Sequence, residues 1–93
     1  MFIGAATLEL EITDAMTLKD KRRVVKSLLD RIRLRFNVAA AEVDRQDNPR
    51  RATLAVVTVA NRQDFIHRAL ETVVRFAEAE PRAVLCDYSI EMF

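Results

Sequence analysis

The residues with the clearest chemical signal are cations. Between positions 19 and 35 the chain places Lys19, Lys21, Arg22, Arg23, Lys26, Arg31, Arg33 and Arg35 against only Asp20 and Asp30. That is eight cations against two acids, a local +6 in a chain whose formal net charge is +1. At about 100° per residue, Lys19, Arg22, Arg23, Lys26 and Arg33 fall on one side of a helix. Clustered Lys and Arg neutralise phosphates and release their counterions, so this pattern points to polyanion binding. The plainer alternative is a solvated face kept polar by charge. The segment 62–79 argues for the first reading. There Arg68, Glu71, Arg75 and Glu78 mix signs at the spacing that lets them pair. Arg45, Arg50 and Arg51 form a second basic spot, suited to gripping phosphate or to pairing with Asp44 and Asp47.

The other chemistry-bearing residues are sparse. Glu9 and Glu11, with Asp87 and Glu91, could hold a hard cation or divide acid and base roles. Residues two apart on a strand stand about 6.8 Å apart, however, and no ligand loop accompanies them. A solvated or partner-facing surface is the expectation. One cysteine, Cys86, and one histidine, His67, cannot assemble an ordinary zinc site. His67 reads as a surface residue, Cys86 as a small inward-facing hydrophobe on its strand, and Tyr88 as its neighbour with the hydroxyl at the rim. A single glycine, Gly4, excludes a Gly-rich phosphate loop. No nucleophile is paired with a base. The expectation is therefore no catalytic centre, no metal and no cofactor.

The elements that position these residues follow from periodicity. Residues 2–13 alternate, with Ala6, Leu8, Leu10 and Ile12 on one face and Glu9 and Glu11 on the other, which predicts a half-buried strand. Thr17 and Asp20 form a capping-box pattern at a helix start. Val25, Leu28, Leu29, Ile32 and Phe36 then mark the apolar stripe of a helix ending near Asn37. Residues 38–44 predict a short strand, and Asn48-Pro49 a turn. Residues 51–60 are apolar on both faces, which predicts a central strand covered on both sides. Asn61 and Asp64 suggest the start of a second helix over 62–79, which Pro81 closes. Residues 83–92 alternate again, with Val84, Cys86, Tyr88, Ile90 and Met92 on the inward face.

The order β-α-β-β-α-β predicts an α+β, ferredoxin-like sandwich. It has a four-stranded sheet in the order 4-1-3-2 with both helices on one face. A chain of 93 residues, 51% of them hydrophobic, has room for one domain with one core. Helices on one face only would leave one side of strand 51–60 against water, which predicts a homodimer through the sheet. No apolar run approaches the length of a membrane span, and the first residues lack the basic start of a signal peptide. The location expected is cytoplasmic.

The run from Thr17 through Leu-Lys-Asp-Lys-Arg-Arg-Val-Val-Lys-Ser-Leu-Leu-Asp-Arg-Ile-Arg resembles the YlxP-like family of small bacterial proteins, a domain of unknown function. So do Arg35-Phe-Asn-Val, Ala-Glu-Val-Asp44, Gln46-Asp47 and Arg51-Ala-Thr-Leu-Ala-Val. The resemblance covers nearly the whole chain. It implies a ferredoxin-like fold and, because the family's genes commonly lie among translation genes near initiation factor two and ribosome-binding factor A, work on RNA or the ribosome. Family members often carry an aromatic residue after the Gln-Asp pair. Asn48-Pro49 stands there in this chain, which removes a stacking role for that loop. Together these readings predict a non-enzymatic module that binds RNA or a ribosomal particle through Lys19, Arg22, Arg23, Lys26, Arg33, Arg45, Arg50 and Arg51. The alternative is an oligomeric interaction or small-ligand-sensing domain that uses the open sheet face.

Overall fold

In the computed structural model, which describes residues Met1–Phe93, the alternation of residues 2–13 becomes β1 (Phe2–Ile12). Ala6, Leu8, Leu10 and Ile12 are buried, and the residues between them face the other way. The capping box is formed at the start of α1 (Leu18–Arg35). The Thr17 hydroxyl accepts from the Asp20 amide at 3.1 Å, and the Asp20 carboxylate accepts from the Thr17 and Met16 amides at 3.2 and 3.1 Å. These bonds satisfy N–H groups that have no partner inside the helix. The stripe of Val25, Leu28, Leu29 and Ile32 is buried as expected, and the helix stops at Phe36, whose backbone is extended.

The chain continues through β2 (Ala39–Asp44), β3 (Arg51–Ala60), α2 (Gln63–Glu78) and β4 (Ala83–Met92). The start of α2 differs from expectation. Its cap is Arg62, with no side-chain cap bond, and the Asp64 carboxylate is taken by the Arg62 guanidinium at 2.7 Å. Burial of Ile66, Leu70, Val73, Val74 and Ala77 holds this helix in place instead. All strand pairs are antiparallel, and the sheet runs β2-β3-β1-β4, which is β4-β1-β3-β2 counted from the other edge. The helices share one face, where a single core of 18 buried residues lies between them and the sheet. Gly4 sits directly under α2. A Cβ there would stand 2.3 Å from Cγ2 of Ile66, so the missing side chain sets how closely helix and strand approach.

Two features of the sheet depart from the sequence reading. In β4 the register shifts: Glu9 pairs with Asp87 but Leu10 pairs with Leu85, which leaves Cys86 as the extra residue of a β-bulge. The bulge reverses the alternation, so Leu85 faces the helices while Val84 and Cys86 are exposed. The inward placement of Cys86 and Val84 is thereby corrected. Tyr88, Ile90 and Met92, beyond the bulge, pack against the core as expected. The central strand β3 is covered on one face only. Ala52, Leu54 and Val56 are buried, while Val57 and Val59 on the other side are 36% and 56% exposed. No helix is long and apolar enough to cross a membrane.

Candidate functional site

The outer face of α1 divides along its length. Toward its C-terminal half, Asp30 stands among the cations and consumes two of them. Lys26 donates to it at 2.7 Å and Arg33 at 3.3 Å. The Lys26 hydrogen bond, with Arg33 beside it, holds the Asp30 carboxyl below the usual aspartate range. Arg33 also donates to the Ala40 carbonyl at 2.6 Å, so its guanidinium covers a carbonyl of the edge strand β2. Arg31 is tied to Glu80, and Arg35 lies over the Phe76 ring at 5.3 Å. Leu34, in the same arc, is 90% exposed.

The first turns are different. Lys19, Arg22 and Arg23 are exposed and have no carboxylate within 4.0 Å. They flank two shallow depressions. One, of about 340 Å³, is lined by Arg22, Lys26, Arg33, Asp30 and Glu42, and the other, of about 320 Å³, by Arg23, Asp14, Asp20 and Arg82. In α2, by contrast, Arg68 pairs with Asp64, and Arg75 with Glu71 and Glu78. Arg75 also donates to the Tyr88 hydroxyl at 2.9 Å, which puts that hydroxyl at the rim as expected.

The second basic spot does not stay together. Arg45 takes φ 63°, in the left-handed region, and its side chain reaches the uncovered face of the sheet, where it meets Glu9 at 3.3 Å. Arg51 faces the same way, 3.9 Å from Glu11, and donates to the Cys86 sulfur at 3.1 Å. Both lie across the sheet from α1, paired with the strand carboxylates rather than with Asp44 or Asp47. Arg45 and Arg51 thus stand on a different side of the molecule from the basic face of α1. Arg50 alone keeps an unpaired guanidinium, which donates to the Thr13 carbonyl at 3.0 Å, just before the start of α1.

Two buried charges escaped the sequence reading. Lys21, counted there as part of the basic run, is fully buried. Its ammonium donates to Glu42 Oε2 at 2.8 Å and to the carbonyls of Arg45, Gln46 and Arg51 at 2.8, 3.2 and 3.2 Å. The signal was present, because Lys21 stands four residues before Val25, on the period of the apolar stripe. Glu80, just past α2, is buried between Arg82 and Arg31. Hydrogen bonds from the Arg82 side chain, then from its backbone amide and Arg31, bring the carboxyl down to about 2. Nothing local in sequence announces a partner 49 positions away.

The strand carboxylates do come near one another, since Glu9 pairs with Asp87 across β1 and β4. Glu9 accepts from Thr53 at 2.9 Å as well as from Arg45. No three His, Cys, Asp or Glu side chains converge on a point that could hold a metal ion. His67 is exposed on α2.

An open-faced antiparallel sheet under two helices, with a basic helix start, defines the class, and comparison with known proteins gives the family. Residues 3–90 match the family described as "Protein of unknown function (DUF503)", and the chain belongs to that family. It is 34% identical over 79 residues to the uncharacterized protein YlxP of Bacillus subtilis (strain 168), covering 85% of this chain and 86% of that one. Among solved structures it resembles the de novo designed protein Foldit4, with a TM-score of 0.54 and 12% identity over 100% of this chain and 97% of that one. At that identity the likeness concerns the fold alone.

Proposed function

We propose that this protein is a non-enzymatic, cytoplasmic binding module, built as a ferredoxin-like sandwich, that takes structured RNA or a ribosomal particle on the first turns of α1. One observation carries the reading: Lys19, Arg22 and Arg23 are exposed and unpaired, whereas the arginines of α2 are ion-paired. Stability does not account for this placement. Lys19, in the first turn, opposes the macrodipole, and an acid in its place would stabilise by about 0.3–1 kcal/mol. A cluster with no carboxylate in ion-pair contact, and only Asp20 near enough to Arg23 to feel its charge, suits an external polyanion. No aromatic ring stands in the exposed arc, so phosphates are contacted and base identity matters little.

The test is co-sedimentation with ribosomal subunits at two salt concentrations, beside a salt titration against a short RNA stem-loop. With contacts from Lys19, Arg22, Arg23 and Arg50, log affinity is expected to fall with log salt at a slope of about −2.8 to −3.6, roughly −0.7 per contact to the single-stranded loop and −0.9 to the duplex stem. The triple variant Lys19→Glu, Arg22→Glu, Arg23→Glu loses binding, while reversal of Arg68 and Arg75 changes it little. A triple variant that sediments as wild type sinks the reading.

A second reading is favoured by Val57 and Val59, exposed on a sheet face that no helix covers. A second copy of the chain would cover it as a homodimer, leaving the basic face of α1 on the outside.

A further inference from the structure

We propose that Lys21 is the positioning residue of the basic surface: its ammonium is a tethered cation that fills a cage of oxygens and so docks the first turn of α1 onto the β2–β3 loop. Its last step, the effect on RNA, rests on the function proposed above. The first step rests on geometry alone. Lys21 is the first buried residue of α1, and the next, Val25, lies one turn further on. The turn that carries Lys19, Arg22 and Arg23 is therefore seated on the body of the protein by this side chain.

The cage is made by the loop and the strand ends on either side of it. Glu42 Oε2 and the Arg45 carbonyl stand 2.8 Å from the nitrogen, and the Gln46 and Arg51 carbonyls 3.2 Å. An ammonium has three N–H donors, so four acceptors share them, and all lie within hydrogen-bond range. With the ammonium removed, three carbonyl dipoles and a carboxylate would face one another with nothing between them. The loop also holds Arg45 in the left-handed region, a conformation that needs support from its surroundings. Asn48 shapes the turn from within, accepting from the Arg50 and Arg51 amides at 2.9 and 3.1 Å. On the far side, the Ile12 amide donates to the Arg50 carbonyl at 2.8 Å. Lys21 supplies the tie from this loop to α1. Its consequence is that Lys19, Arg22, Arg23 and Arg50 act as one surface rather than as a helix patch and a separate loop arginine.

The experiment uses Lys21→Ala, with propylammonium as a free replacement for the missing side chain and tetramethylammonium, which has no N–H donor, as the control at equal ionic strength. Hydrogen exchange is read at the Asn48 and Arg51 amides, and the salt slope is read on the RNA stem-loop. Protection at both amides is expected to fall about tenfold or more, and the slope to lose about one contact, roughly 0.7–0.9. Propylammonium restores both, and tetramethylammonium neither. Loss of stability alone would not change the slope of the folded protein. Unchanged protection and slope overturn the proposal, as does equal rescue by the two cations. If Lys21→Ala does not fold, the double variant Lys21→Met, Glu42→Met, which leaves no orphan carboxylate, is read in the same way without rescue. If the wild-type protein binds no RNA, the functional reading fails, and amide protection with its rescue decides the cage by itself.

Discussion

Glu80 and Lys21 are single residues whose loss is expected to reach across the molecule. The Glu80 carboxyl titrates at about 2 when folded, against an ordinary value of 4.5, because Arg82 and Arg31 hold its charged form. A carboxyl with a depressed folded pKa stabilises fully above its unfolded value and loses that contribution as pH falls toward the folded one. Denaturant unfolding is therefore expected to show stability declining between about pH 4.5 and pH 2, by roughly 3 kcal/mol from this group. Glu80→Gln should flatten that part of the profile; an unchanged slope in the variant would rule the assignment out. Removing the Lys21 charge alone should cost about 3–5 kcal/mol, because Glu42 is left inside without its partner. Gly4→Ala drives a methyl to 2.3 Å from Ile66 and should cost about 1–3 kcal/mol by overpacking. A melting curve unchanged by that methyl would mean that α2 moves away freely. Of these three sites, Gly4 stands out in the sequence only for what a lone glycine excludes, and Lys21 only as one cation of the basic run. Lys21 was legible by its place on the stripe, yet charge hid it. Glu80 was not, since its Arg31 partner is set by how the helices pack.

At the scale of elements, the strongly periodic segments were readable and the local irregularities were not. β1 and α1 carry patterns that agree with their own caps and faces, so propensity, period and burial point the same way. The bulge at Cys86 has no such signature: an extra residue in one strand is decided by its partner's register, and one position of slip moves side chains to the other face. The same limit separates Arg45 and Arg51 from the helix, because a loop's composition does not reveal which side of the sheet its side chains will take. For α1 the structure separates function from stability in a measurable way. Of Lys19, Arg22 and Arg23, only Lys19 lies in the first turn, where a change to Glu should stabilise by about 0.3–1 kcal/mol at low salt; an acid at 23 would repel Asp20 by about 0.2–0.5 kcal/mol, and one at 22 would face Lys26 one turn on and gain about as much. The triple variant is expected to melt close to the wild-type temperature while losing RNA. A lower melting temperature would show that these cations serve the fold through contacts beyond those seen.

At the scale of the whole molecule, the two candidate surfaces lie on opposite sides, α1 outside one layer and the uncovered sheet outside the other. The uncovered face is itself divided. Ile3, Ala5, Ala39, Ala41, Ala55, Val57 and Val59 gather at one end through the register, with Glu91 beside Ala5, and Glu9, Glu11, Arg51 and Asp87 at the other. Four strands about 4.8 Å apart, of 11, 6, 10 and 10 residues, give a face of about 600 Å². A stable complex usually buries about 800 Å² on each partner. Burying the apolar end would also bring Glu91 out of water, so the homodimer proposed from this face is a weak one. Sheets packed nearly aligned, apolar end on apolar end, also bring the two Glu91 carboxylates near each other, and the charged ends together, where Glu9, Glu11 and Asp87 outnumber Arg45 and Arg51. Screening by salt should then tighten self-association, the opposite of its effect on RNA binding. Sedimentation equilibrium over a wide concentration range is expected to show reversible dimerisation that strengthens with salt and disappears in Val57→Lys, Val59→Lys. Such a dimer would carry its two α1 faces outward, able to engage two stretches of a polyanion at once. A clean monomer at every concentration and salt would leave Val57 and Val59 as ordinary exposed residues and would remove the second copy from the account.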